Sequence, residues 1–189
     1  MYATREAWLT DAAGELTPLI TTAGGMLPAS IRIACGFPST YRRSGALGET
    51  FRPGDSADST VEILISPTLS DPGAVLAVLL RQLVEAITGN ASHKSAVYAA
   101  LDLRPDKPRD VPGCGINLGS KLQGIAAALG AYPHAALSLA DRPKAATRLL
   151  KGLCPTCGYT IRLTQKWADK GMPQCPCGDT FNLETTQEA

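Results

Sequence analysis

The stretches CPTCG at residues 154–158 and CPCG at residues 175–178 decide how the C-terminal part of this chain folds. Two thiolates on each of two tight turns suit a tetrahedral Zn²⁺ ion, because each turn offers two soft ligands at a fixed separation. The glycine that ends each stretch favours such a turn, since glycine accepts a positive φ. The sequence therefore predicts one structural zinc ion held by a quartet of cysteines: Cys154, Cys157, Cys175 and Cys177.

The spacing alone leaves two disulfides or four free thiols as alternatives to the zinc site. The second turn is one residue shorter than the usual CxxC, so Cys177 is the ligand that the spacing supports least. Zinc is preferred because nothing else in the chain suggests secretion, and a reducing cytosol disfavours disulfides. Cys35 and Cys114 lie far from the quartet in sequence and are expected to be buried free thiols.

Length and composition are those of a globular protein with one core domain and a small appendage. The chain has 189 residues, of which 44% are hydrophobic and 19% charged, and its net charge is +1. We expect no transmembrane helix and no secretory signal, because no apolar run is long enough and no basic segment precedes an apolar block. The expected location is the cytoplasm.

Basic residues concentrate just before and within the cysteine-rich segment. Residues 142–170 carry seven basic side chains, and only Asp169 opposes them. Such an excess can meet phosphates, and Trp167 and Tyr159 favour nucleic acid slightly, because aromatic rings stack on bases. The alternative is a solvated face, and the core of the small domain is the preferred place for Trp167. The candidate phosphate contacts are Arg148, Lys151, Arg162 and Lys166.

The rest of the chain predicts an α+β fold, a small antiparallel sheet packed with helices. Domain boundaries are expected at residues 1–140 for this core and 141–189 for the cysteine-rich part. The clearest element is a core helix over 74–88, capped by Asp71 and started by Pro72. Other helices are predicted at 4–22, 94–103 and 120–129, strands at 31–35, 49–52, 61–65, 148–153 and 159–164, and loops at 41–48 and 104–115.

The order of these parts resembles the SprT-like family of zinc metalloprotease-like proteins, many of which carry a C-terminal zinc ribbon. The resemblance runs from about Ile31 to Cys177 and rests on GNASHKSAVY at 89–98, CGYTIRLTQKW at 157–167 and GMPQCPCG at 171–178. It implies a metalloprotease-like core, an ancestry in peptidases that act near DNA, and a zinc ribbon at the C-terminus.

The residues that the family uses for catalysis are replaced in this chain. Members carry His-Glu-x-x-His on the central helix and a third His beyond it, which together bind zinc and activate water. The matching stretch here is RQLVE at residues 81–85. The resemblance places Arg81 at the first His, Gln82 at the Glu and Glu85 at the second His, and only His93 matches a ligand.

Each replacement argues against catalysis. Arginine stays protonated and has no lone pair for a metal, and glutamine cannot take a proton from water. We therefore expect an inert, metal-free centre in which Arg81 lies where relatives hold zinc and pairs with Glu85 one turn later, near His93. The alternative is a solvated polar stripe on an ordinary amphipathic helix.

The function expected from this sequence is that of a non-catalytic SprT-like protein, a pseudo-metalloprotease. Its zinc ribbon would contact DNA, another nucleic acid or a protein partner, with no membrane and no small-molecule substrate. Two alternatives remain open at this stage. One is an active zinc-dependent peptidase that uses Glu85, His93 and a distant carboxylate, and the other is a structural or assembly protein of a mobile element.

Overall fold

The computed structural model of the chain describes residues 2–138 and 149–184. The chain forms two compact units, Met1–Leu139 and Ala140–Ala189. Within the described ranges, no helix is both long enough and apolar enough to cross a membrane. The predicted α+β class is confirmed, because each unit combines helices with a small sheet.

The described residues of the first unit form five α-helices, a short 3-10 helix at Pro53–Asp55 and five strands. Its helices are α1 (Arg5–Thr22), α2 (Tyr41–Ser44), α3 (Pro72–Ala86), α4 (Ala91–Leu101) and α5 (Ile116–Leu129). Its strands are β1 (Ile31–Cys35), β2 (Gly48–Phe51), β3 (Val61–Ile65), β4 (Leu103–Arg104) and β5 (Gly113–Cys114).

The main sheet is mixed, which corrects the prediction of a purely antiparallel sheet. Its strand order is β1-β3-β2, with β1 parallel and β2 antiparallel to β3. The parallel pairing is possible because the chain returns through α2 and β2 before β3 begins. Two predicted loops also contain structure, since α2 lies within 41–48, and Arg104 of β4 and the whole of β5 lie within 104–115.

The core of the first unit lies between this sheet and the helices α1, α3 and α5. β3 forms where the strand was predicted, and its burial alternates, with Val61, Ile63 and Ile65 facing inward. The Asp71 carboxylate accepts the Ala74 N–H at 2.7 Å, and α3 begins there as the cap predicts. Eleven of the fifteen residues of α3 are buried, so protein surrounds this helix on nearly every side. That burial decides what its polar side chains contact.

The second unit is built on a three-stranded antiparallel sheet. Its elements are β6 (Leu149–Leu153), β7 (Thr160–Thr164), α6 (Gln165–Ala168) and β8 (Asn182–Leu183). The strand order is β7-β6-β8, and the hairpin between β6 and β7 carries the first cysteine pair.

Candidate metal centre and the cleft around Arg81

The first cysteine pair lies on the turn between β6 and β7. The Cys154 N–H donates to the Tyr159 carbonyl at 2.9 Å, and the Gly158 N–H donates to the Cys154 carbonyl at 3.0 Å. Gly158 has φ +72°, a conformation that glycine adopts without the strain of a Cβ. The turn thereby directs the thiols of Cys154 and Cys157 to the same side.

The second pair lies on a similar turn despite its shorter spacing. The Gly178 N–H donates to the Cys175 carbonyl at 2.8 Å, and the Cys175 N–H donates to the Asp179 carbonyl at 2.6 Å. Gly178 has φ +99°. The Thr156 hydroxyl of the first turn also donates to the Asp179 carboxylate, so a side-chain hydrogen bond joins the two turns.

The two turns bring all four cysteine sulfurs together. Their Sγ atoms lie within 4.8 Å of one another, with 3.4 Å between Cys154 and Cys177 and between Cys157 and Cys175. Sulfurs at the corners of a tetrahedron around an ion with metal–sulfur bonds of about 2.3 Å are about 3.8 Å apart, whereas a disulfide needs about 2.05 Å. The four thiols are free and form a group that can hold a metal ion.

The backbone prepares the first of these thiols to act as a ligand. Hydrogen bonds from the Cys157 and Thr156 backbone and the contact with the Cys177 sulfur lower the pKa of Cys154 to about 7, whereas the hydrogen bonds among the thiols and burial raise the pKa of Cys175 to about 12 and also raise that of Cys177. A metal binds thiolates rather than thiols, so Cys154 is the first of these ligands to ionise, and an incoming ion must displace protons from the others.

Few apolar side chains support the quartet. The buried cluster in the described part of the second unit consists of Cys154, Cys175 and Phe181, with Ile161 and Met172 packed against it. A core of this size does not offset the conformational entropy of folding by itself, and domains this small usually need a metal or a disulfide. The cysteines that could hold a metal ion therefore also form part of the core of the unit.

Arg81 is buried on α3 and is held by backbone carbonyl oxygens. One terminal guanidinium nitrogen donates to the carbonyls of Lys107 at 3.3 Å and Asp110 at 3.2 Å. The second terminal nitrogen donates to the Pro108 carbonyl at 3.1 Å. Only 5% of the Arg81 surface is exposed. Burial lowers its pKa, but an arginine retains its proton at neutral pH. The guanidinium thus fixes the loop 107–110 against α3.

The expected ion pair between Arg81 and Glu85 does not form. Glu85 instead accepts a 2.8 Å hydrogen bond from the Tyr98 hydroxyl and lies 3.4 Å from the Lys94 ammonium, both on α4. The physical reason is that Arg81 already has three carbonyl acceptors, while Glu85 is half exposed and turned toward α4. No acidic group within the described ranges pairs with Arg81 at 4 Å or less.

Gln82 and His93 also have ordinary partners. The Thr50 hydroxyl on β2 lies 3.0 Å from both the side-chain oxygen and the carbonyl of the buried Gln82. His93 lies in the first turn of α4, where its backbone N–H donates to the side-chain oxygen of Asn90, the helix cap, at 2.9 Å. Neither residue belongs to a group of three or more side chains that could share a metal ion. Among residues 2–138 and 149–184, the cysteine quartet is the one such group.

A cavity of about 320 Å³ lies beside these residues. Arg81, Gln82, Glu85 and Tyr98 contribute to its wall. Burial and the neighbouring Glu85 raise the pKa of Tyr98, so its hydroxyl stays protonated as a donor. The cleft therefore presents a fixed cation, an amide and a carboxylate already bonded to tyrosine. The sequence did not point to Tyr98, Lys94 or the loop carbonyls as parts of this site.

The candidate phosphate contacts have different surroundings. Arg148 lies outside the described residues. Lys151 pairs with Glu184 at 2.5 Å, and Arg162 lies opposite Lys151 in register, so both are on one face of the sheet. Lys166 is exposed and lies 5.7 Å from the Trp167 ring centre.

The prediction that Trp167 belongs to the core is wrong, because 58% of its surface is exposed.

Comparisons with protein families, with curated proteins and with solved structures found no match to this chain. The resemblance to SprT-like proteins therefore depends on the residues quoted above.

We expect the second unit to unfold when its metal is removed. A strong chelator should expose the amides of residues 150–184 to hydrogen exchange while those of α3 stay protected. Cys175→Ser should have the same effect, since it removes a buried ligand, whereas Cys114→Ser in the first unit should retain the metal. A second unit that stays protected without metal would contradict this.

Metal analysis should find one ion per chain, and two ions would favour the peptidase alternative.

Arg81→Ala should destabilise the first unit by about 2–4 kcal/mol, because three carbonyls lose their donor and the loop loses its anchor. Denaturant unfolding measures the change, and hydrogen exchange should show faster opening of residues 105–112. Arg109→Ala is the matched control, since the Arg109 side chain is 62% exposed and on the same loop. We expect the control to change stability by less than about 0.5 kcal/mol. Equal effects of the two variants would contradict the anchoring role.

Proposed function

We propose that this protein is a non-catalytic SprT-like protein that binds nucleic acid through a C-terminal zinc ribbon. One observation carries the binding part of the proposal. The Trp167 ring is 58% exposed, and the ammonium groups of Lys166 and Lys170 lie 5.7 and 5.9 Å from its centre. An exposed aromatic side chain with two cations close to its ring suits a base and its flanking phosphates.

Zinc is the metal that we propose for the cysteine quartet. Four thiolates make a closed tetrahedral set, as structural zinc sites require, with no position left for water or substrate. The spread of the Sγ atoms, up to 4.8 Å, needs only small adjustments to reach zinc–thiolate geometry. Six free cysteines also suit a reducing compartment, and we propose the cytoplasm as the location.

An inert cleft in the first unit supports the non-catalytic part. A peptidase of this type needs a metal to polarise the peptide carbonyl and a base to deprotonate water. Arg81 offers no lone pair, and Gln82 offers no base. Glu85 is already bonded to Tyr98 and Lys94. These residues would preserve the shape of a peptidase cleft without its chemistry.

The net positive charge of the second unit is small, so its affinity for phosphate would depend more on where the basic side chains lie than on how many there are. Residues 149–184 carry four basic and three acidic side chains. Glu184 partly neutralises Lys151, whereas Arg162 is exposed and has no acidic partner among the described residues. We therefore propose that Arg162, Lys166 and Lys170 contact phosphates more effectively than Lys151.

Binding of the zinc-loaded full chain to a fluorescent oligonucleotide at several salt concentrations tests the proposal. Arg162→Ala and Lys166→Ala should each weaken binding, and each should reduce the slope of log K against log salt by about 0.7–0.9. Lys121→Ala removes the same charge from an exposed position on α5 and should change neither quantity. A wild-type protein without measurable affinity would favour a protein partner or an assembly role instead.

A further inference from the structure

Cys35 lies in a part of the first unit that the proposed function does not use. It is the last residue of β1, and its side chain is partly exposed. It lines a cavity of about 380 Å³ together with Glu6 and His134. A water molecule occupies about 30 Å³ of liquid volume, so small polar molecules can reach this sulfur through the cavity.

A buried arginine contacts the sulfur. Arg5 is 7% exposed, and its five N–H groups point at five acceptors. One of them is the Cys35 Sγ at 3.3 Å. The other four are backbone carbonyl oxygens, those of Pro67, Pro133, His134 and Ala135. Because the carbonyls hold the guanidinium in place, its N–H to sulfur is preorganised to stabilise a thiolate.

A second donor lies beside the sulfur. The Tyr132 side chain is 5% exposed, and its hydroxyl has no nitrogen or oxygen acceptor within the described residues, while the Cys35 sulfur, a weak acceptor, is its polar neighbour. Its ring lies 5.1 Å from the Arg5 guanidinium carbon and packs edge-on against Trp8. Burial and the nearby Cys35 sulfur raise the pKa of Tyr132, so it keeps its proton. A buried hydroxyl without a nitrogen or oxygen acceptor is uncommon and suggests that an acceptor is added here.

We propose that Cys35 is a modification site that reacts with small hydroperoxides to form a sulfenic acid. The thiolate sulfur attacks the terminal oxygen of the peroxide, a sulfur–oxygen bond forms, and the oxygen–oxygen bond breaks. Hydroxide or alkoxide leaves with the bonding electron pair and takes up the proton that the thiol released on ionising, so the second product is water or an alcohol. Sulfur is oxidised by two electrons, and the peroxide is reduced by two. Arg5 stabilises the attacking thiolate, and the new oxygen accepts from the Tyr132 hydroxyl.

Cys114 provides an internal comparison. It is also a partly exposed free thiol, and it donates to the Pro112 carbonyl at 3.7 Å. Burial raises the pKa of Cys114. No guanidinium donates to its sulfur in the described part of the chain, so peroxide should oxidise it more slowly than Cys35.

The experiment treats the metal-loaded full chain with hydrogen peroxide in the presence of dimedone, which traps sulfenic acids. Mass spectrometry of tryptic peptides reads each thiol separately, because Cys35 lies in residues 33–42 and Cys114 in residues 110–121. We expect labelling of Cys35 to be at least about tenfold faster than that of Cys114. Tyr132→Phe should slow labelling of Cys35 by about tenfold, the factor for a lost hydrogen bond to a charged group.

Tyr132→Phe is the decisive variant, because it removes a hydroxyl with no nitrogen or oxygen acceptor and should leave the fold intact, as circular dichroism would verify. Its rate at Cys114 serves as the control and should be unchanged. Equal labelling of Cys35 and Cys114 in the wild type would overturn the proposal. A change of less than about threefold at Cys35 in Tyr132→Phe would also overturn it.

Discussion

A helix that protein surrounds on nearly every side leaves little water for the polar side chains that it buries, and this constraint organises the first unit. Arg81 and Gln82 lie on the buried helix α3, where an unpaired polar group would be costly. Arg81 therefore takes the carbonyls of the loop 107–110, and Gln82 takes Thr50 on β2. These contacts connect α3 to a loop and to the sheet, so the polar residues contribute to the specificity of the fold as well as to the cleft.

The second unit depends on different physics. Its buried cluster contains two of the cysteines and one aromatic ring. The first unit has a large hydrophobic core, whereas a metal-dependent second unit would need thiolates that are deprotonated and reduced. Its stability would then respond to proton concentration, redox state and metal supply, none of which acts strongly on a hydrophobic core.

Much of the fold could be predicted from the sequence, because periodicity and capping report local structure. Val61–Ile65 alternates, Asp71 caps α3, and the two glycine turns bring their cysteines together. The partners of Arg81 could not be predicted, since they are backbone carbonyls 26 to 29 residues away that have no sequence signature. The i, i+4 spacing suggested Glu85 instead, but spacing cannot show that Tyr98 and Lys94 compete for it. The exposure of Trp167 could not be predicted either, because the buried cluster of the second unit contains too few side chains to cover the indole ring.

The cysteine quartet has a closed side and an open side. Cys154 and Cys175 are buried, while Cys157 and Cys177 are exposed, so each turn contributes one inner and one outer sulfur. If the quartet binds an ion, an incoming chelator or apo-protein would reach the outer sulfurs first and could replace them stepwise while the inner pair still held the ion. Metal exchange would then follow an associative route, in which lability is governed by access to one face rather than by the overall affinity of the site.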